Sequence, residues 1–230
     1  MLHLQVRSLI FTAMLTAVAA TAQVSTDNAF QVRYASNIPP AGSTSIPDSV
    51  INITNTGARD GVTNLSGTSA TVGGSICVNV YGFSPDEQMV GCCSCPVTPN
   101  GLVSLSVAQD IASNTLTPRR PTSLVTKLLA TVPVGGTCTG SAAAVATATL
   151  APGLAAWGTT PHSTGALGSG PWAITETEFK PATLSASELA HLATVCSFII
   201  GSSGTNGQGS GFGLCASCRL GGLGAGTSAN

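Results

Sequence analysis

Charge is the scarcest property of this chain: Asp, Glu, Lys and Arg together make up 7% of its residues, against about 25% in an ordinary soluble domain. Lysine occurs only at Lys127 and Lys180. This scarcity excludes the basic stripe that a nucleic-acid binder needs, and equally a polybasic patch for anionic lipid. Aromatic residues are also few, 4% of the chain. A core therefore has to be assembled from Val, Ile, Leu and Ala, which bury less area per residue than rings do. Histidine is limited to His3, His162 and His191, and the chain contains no G-x-S-x-G, no H-E-x-x-H and no S-x-x-K. The local signatures of hydrolytic sites are thus missing, although a triad assembled from distant positions is left open by any sequence.

Long hydrophobic runs are missing too. The longest, residues 9–19, follows Arg7 and ends in Ala20-Thr21-Ala22, the three-part pattern of a secretory leader. It is well short of the roughly 20 residues that cross a bilayer. A signal peptide over residues 1–22 is expected, with the product secreted or periplasmic. Loss of Arg7 with that leader leaves seven basic and nine acidic residues, a net of −2. A surface clothed in Thr, Ser, Asn and Gly repels copies of itself, a cell envelope or a polymer only weakly.

What is present is a set of short alternating segments. Residues 23–48 are polar and broken by Pro39, Pro40 and Pro47, and read as an N-terminal arm with one short strand candidate over residues 30–34. In residues 50–55 Ile51 and Ile53 share one face while Asn52 and Thr54 share the other, the mark of a half-buried strand. Residues 76–81 repeat the pattern with Ile76, Val78 and Val80 on one side and Cys77 on the opposite side. Residues 102–107, after the turn-forming Pro99-Asn100-Gly101, and residues 123–132 complete a core expected over residues 49–135. The expected fold is mainly β, an antiparallel β-sandwich with a C-terminal helix and a disulfide-tethered glycine-rich tail.

The second half, residues 136–220, is more varied. The Ala-rich stretch 142–150 reads equally as strand or helix, residues 157–170 read as loop, and residues 172–179 as one more strand. Ser185 opens a helix over residues 185–200, with Leu189, Leu192, Ala193, Cys196 and Ile199 or Ile200 along one stripe and Gly201 as its stop. Ten of the last thirty residues are glycine. The tail is expected to be irregular and pinned by Cys215 and Cys218, with disorder over residues 221–230.

The eight cysteines are Cys77, Cys92, Cys93, Cys95, Cys138, Cys196, Cys215 and Cys218. An even number in an exported chain points to four disulfides. Adjacent cysteines such as Cys92 and Cys93 bond poorly to each other and reach for distant partners. The expected map joins the central cluster to Cys196, Cys215 and Cys218, and leaves Cys77 for Cys138. A competing reading takes Cys92, Cys95, Cys215 and Cys218 as a zinc site, because both pairs have the two-residue spacing of a zinc knuckle. A C-x-x-C redox pair is a weaker third, since the βαβ context it usually occupies is absent.

Two further groups are chemistry-bearing. Glu188 and His191 lie three apart on the helix, but Ser185-Ala186-Ser187-Glu188 matches a capping box, in which Glu188 returns to the amide of Ser185. Trp157 and His162 fall in the expected loop and form a candidate binding platform. His162 is also the candidate base if the protein is a hydrolase.

Residues Gly74-Ser75-Ile76-Cys77-Val78-Asn79-Val80-Tyr81, with Asp86-Glu87-Gln88, Cys92-Cys93-Ser94-Cys95 and Val97-Thr98-Pro99-Asn100-Gly101-Leu102, resemble a pattern in uncharacterised exported proteins of soil bacteria. Residues 50–57 resemble part of the same pattern. The resemblance implies bacterial origin and export and carries no activity. The reading that follows is a secreted, non-catalytic module for attachment, envelope structure or assembly, without a cofactor. Its expected partners are copies of itself, an envelope or a polysaccharide surface, and no nucleic acid. The alternatives are a cysteine-rich metal-binding protein and a secreted hydrolase.

Overall fold

A computed structural model describes residues 28–61, 73–117, 119–166, 170–202, 212–215 and 218–220. The expected leader and the segment 221–230 lie outside these residues. In chain order the elements are β1 (Phe30–Ser36), β2 (Val50–Asn55), β3 (Ile76–Phe83), β4 (Met89–Val97), β5 (Leu102–Ser106), β6 (Ser123–Thr131), β7 (Leu154–Ser163), β8 (Trp172–Glu178), β9 (Lys180–Pro181), α1 (Ala186–Ser202) and β10 (Arg219–Leu220). They form two sheets, ordered β4-β3-β6-β1-β9 and β10-β5-β2-β7-β8. All paired strands are antiparallel. The expected sandwich with one C-terminal helix is what the chain adopts.

Alternation explains the core between the sheets. Ile51 and Ile53 of β2, Val103 and Leu105 of β5, and Leu154 and Ala156 of β7 point inward and meet Ile76, Val78 and Val80 of β3 and Leu124 and Leu128 of β6. Each such aliphatic side chain, taken fully out of water, contributes about 1.5 to 3 kcal/mol. A second apolar cluster lies on the outer side of the first sheet. There Phe30, Tyr81, Cys92 and Leu129 meet Ala142, Val145 and the helix residues Leu192, Ala193, Cys196 and Ile199. The molecule is therefore three layers deep, helix over sheet over sheet.

The strand candidate over residues 30–34 is present and extends to Ser36, held between β6 and β9. Its Phe30 and Val32 serve the helix side, while Gln31 and Arg33 point into the sandwich. Residues 154–163 form β7, where a loop was expected from residue 157. Gly158 and Pro161 read as breakers, yet each has a local reason. A methyl group at position 158 would sit 2.5 Å from the Arg33 guanidinium, so only glycine leaves that space. Pro161 lies beyond the pairing with β2, which reaches only Gly158, so its missing N–H costs no bond on that side. The ambiguous stretch 142–150 is neither strand nor long helix but turns with a short 3₁₀ segment over Val145–Thr147. The helix itself runs to Ser202, one residue past the expected stop at Gly201.

No helix among the described residues is long and apolar enough to cross a membrane.

Candidate functional site

The cysteines lie where the layers need joining. Cys77 bonds to Cys138, Cys92 to Cys196, Cys93 to Cys215 and Cys95 to Cys218. Three of the four partners of distant segments come from β4, and the strand period assigns their directions. Cys92 points to the helix side and fastens α1; Cys93 and its neighbour but one, Cys95, point to the other side and fasten the tail. This parity corrects the zinc reading: Cys92 and Cys95 are three apart on a strand, face opposite sides and take no part in one cluster. The sulfurs of Cys93, Cys95 and Cys218 do lie within 4.8 Å of one another. All three are spent in disulfides, which leave no thiolate for a metal or for redox exchange.

The helix pair is also explained structurally. Ser185 caps α1, its Oγ accepting from the Glu188 amide at 3.1 Å. The Glu188 carboxylate does not return to Ser185 as the capping box implied; it accepts from Lys127 Nζ of β6 at 2.6 Å. Lys127 also lies 4.6 Å from the centre of the Phe83 ring, and His191 stacks on the same ring at 6.2 Å. Glu188 and His191 thus seat the helix on the first sheet.

Trp157 and His162 are not loop neighbours. Both belong to β7, and five residues apart on a strand they project from opposite faces. His162 Nε2 lies 2.8 Å from Thr175 Oγ1 of β8, the usual way that polar side chains on adjacent strands satisfy one another. Trp157 stands on the outer face of the second sheet. In register with it are Asn52 of β2 on one side and Glu178 of β8 on the other. Asn52 pairs in turn with Ser104 of β5.

This row is held in place by its own hydrogen bonds. Ser104 Oγ donates to Asn52 Oδ1 at 2.7 Å, and Asn52 Nδ2 donates to Glu176 Oε1 at 3.2 Å. Thr54, on the same face, donates to the carbonyl of Gly101 at 2.8 Å. The amide of Asn52 is thereby fixed beside the indole, with the carboxylates of Glu176 and Glu178 exposed next to it. Asn52 and Trp157 are half-buried and Glu178 is exposed, while Ser104 at the end of the row is buried. Sequence reading named Trp157 but missed Asn52, Glu176 and Glu178, because the partners of a strand on its neighbours are set by register. The alternation that put Asn52 and Thr54 outward was the one available signal.

Beneath this face, inside the sandwich, Arg33 reaches across from β1. Its Nη2 donates to Thr160 Oγ1 at 2.7 Å and its Nε to Thr177 Oγ1 at 3.1 Å. Burial lowers the Arg33 pKa, and the nearby charge of Glu176 acts in the opposite direction. Gln31 makes a parallel tie, donating to the Leu154 carbonyl at 2.9 Å. Together they tie β7 and β8 to β1 from below.

No known protein family, curated protein or solved structure matches the chain.

Proposed function

We propose that the protein is an exported attachment module that lays the outer face of its second sheet on an uncharged polysaccharide. The observation that supports this most directly is the row Asn52-Trp157-Glu178, half-buried to exposed and anchored at one end by the buried Ser104. An indole offers a flat apolar surface to the C–H face of a sugar ring, while an amide and carboxylates offer acceptors and donors to its hydroxyls. The residues are carried by strands, so the platform is already formed before the ligand arrives and binding costs little ordering entropy. Low charge over the whole chain fits a neutral polymer and disfavours a salt-dependent one. Four disulfides fit export to an oxidising compartment.

The test is retention on insoluble cellulose, chitin and starch granules, comparing the parent chain with Trp157→Ala and Asn52→Ala. Retention of the parent on one of the three, little affected by 1 M salt and lost in Trp157→Ala, is the expected result. Absence of retention on all three, or equal retention of Trp157→Ala, rejects the reading.

Self-association is a second reading that one observation favours. β8 closes its sheet as an edge strand of seven residues, and an exposed edge is a template for pairing with another chain. Sedimentation velocity of the parent and of Ile174→Lys decides it: a dimer that the edge lysine dissolves supports pairing, and a monomer at all concentrations removes it.

A further inference from the structure

A cleft lies at the far end of β7 and β8, away from the Trp157 row. It is bounded by Asn37 and Ile38, just past β1, by Pro40 and Ile46 of the following connection, and by His162 and Trp172; its volume is about 390 Å³. This falls within the range of small-ligand clefts, about 300 to 1,000 Å³. We propose that this cleft is a second binding site, for a single uncharged sugar ring such as the end of a glycan chain. The proposal rests on the attachment reading for its ligand class, and on separate residues for its location.

The chemistry of the walls makes the choice. None of the lining side chains is a carboxylate, a lysine or an arginine, so a phosphate, a carboxylated sugar or a cationic amine finds no counter-charge there. Ile38, Pro40 and Ile46 form an apolar side. Trp172 lies with the pyrrole edge of its indole close to Gly170. An apolar wall beside an indole suits the C–H faces of a pyranose, and the further hydrogen-bonding capacity of Asn37 and His162 suits its hydroxyls.

Those polar groups are positioned by bonds that use only half of each. Asn37 Nδ2 donates to the Pro161 carbonyl at 2.7 Å, which fixes Asn37 Oδ1 as an acceptor. His162 Nε2 is engaged by Thr175, which leaves Nδ1 as the ring's other hydrogen-bonding atom. Asn37 has a φ of 57°, in the left-handed region that Asn tolerates better than most residues. A residue held there by its own side-chain bond keeps the corner of the cleft fixed, so the site is formed in advance.

The composition of the chain supplies a clean probe, since Trp157 and Trp172 are its two tryptophans. In Trp157→Phe, Trp172 is the sole indole and reports on the cleft alone. That variant is titrated with soluble hexasaccharides of β-1,4-glucose, β-1,4-N-acetylglucosamine and α-1,4-glucose. A saturable change in Trp172 emission with one of them is expected, weakened about tenfold or more when His162→Ala or Asn37→Ala is added, the size expected for loss of one well-placed hydrogen bond. Near-ultraviolet circular dichroism and thermal midpoints select the variants that keep the parent fold, and either of the two suffices. No change with any of the three sugars overturns the proposal, as does a change that both variants leave undiminished.

The two carbohydrate readings fail separately. Retention on an insoluble polymer without a Trp172 response removes the cleft and leaves the sheet face standing. A Trp172 response together with retention unaffected by Trp157→Ala removes the face and leaves the cleft.

Discussion

The outward-pointing positions of the first sheet carry Phe30, Tyr81, Cys92 and Leu129, and α1 with residues 142–145 covers them. The outward-pointing positions of the second sheet carry Asn52, Thr54 and Trp157, which are half-buried, and Glu178, which is exposed. Both sheets obey the same two-residue period, so the difference lies wholly in which residues occupy the outward places. It teaches that this chain hides apolar surface twice, once between the sheets and once under the helix, and reserves one face for polar side chains around an indole. The covered face is also fastened covalently, through Cys92 and Cys196. Stability should therefore be lost mainly by changes on the helix side, and binding mainly by changes on the other.

The largest expected effects belong to the covered face, and the first of them comes from unfastening the helix. Cys92→Ala with Cys196→Ala leaves Cys93–Cys215 in place, so the loop released in the unfolded chain is roughly the twenty residues between Cys196 and Cys215, worth about 3 kcal/mol in the chain-entropy picture. Denaturant unfolding should show a loss of that order, with retention on polysaccharide unchanged under native conditions. If retention falls as steeply as stability, the two faces are not independent and the comparison breaks.

A smaller effect tests the brace beneath the open face. Gly158→Ala forces a methyl group into the Arg33 guanidinium, an overpacking that costs about 1 to 3 kcal/mol. In an Arg33→Ala background the same methyl group should cost much less, a coupling of about 1 kcal/mol or more between the two sites. Additive losses in that double-mutant cycle would show that Gly158 has some other reason to be glycine.

These residues also show where sequence reading succeeds and where it stops. Strands β2, β3, β5 and β6 were legible because each buries one row of aliphatic residues against the opposite sheet, and the helix because its apolar stripe follows a cap. β4 was hidden by burial on both sides: Cys92 and Cys93 serve different layers, so its residues do not alternate in polarity. β7 was hidden by Gly158 and Pro161, whose reasons lie in Arg33, 125 positions earlier in the chain, and in the length of β2. β1 was legible only as a short strand candidate inside a polar arm, because its inward residues, Gln31 and Arg33, are polar; only their partners Leu154, Thr160 and Thr177 make that face an interior one. The cysteines pointed to export and to cross-linking of the central cluster, whereas the row around Trp157 depends on a register that no single strand encodes.

Truncating the indole separates packing from ligand contact on the second sheet. Trp157 is half-buried on the open face, so Trp157→Ala should change unfolding stability by about 1 kcal/mol or less, while abolishing retention on the polymer. The equivalent truncation under the helix, Leu192→Ala, should cost about 2 to 5 kcal/mol and leave retention intact at temperatures where the fold persists. A loss of stability from Trp157→Ala as large as that from Leu192→Ala would mean that the ring serves packing rather than contact with a ligand.

The smallest expected effect concerns acidity in the second sheet. Asp48, just before β2, accepts from the Ala108 amide at 3.1 Å and from the Ser106 hydroxyl, and so ties β2 to the turn that follows β5. Burial raises its pKa, while the bonds from Ser106, Ala108 and Ser49 and the charge of Arg120 oppose the rise without cancelling it. The folded chain therefore holds a proton on Asp48 at pH values where the unfolded chain has released it. The resulting stabilisation is fully present below the ordinary carboxylate range and is lost as pH rises through the raised value in the folded state. Asp48→Asn cannot ionise, so its unfolding free energy should lack this fall and lie on a flatter curve across the same interval. Parallel curves for the parent and Asp48→Asn would show that this carboxylate titrates alike in both states, and that the joint between β2 and β5 is indifferent to its charge.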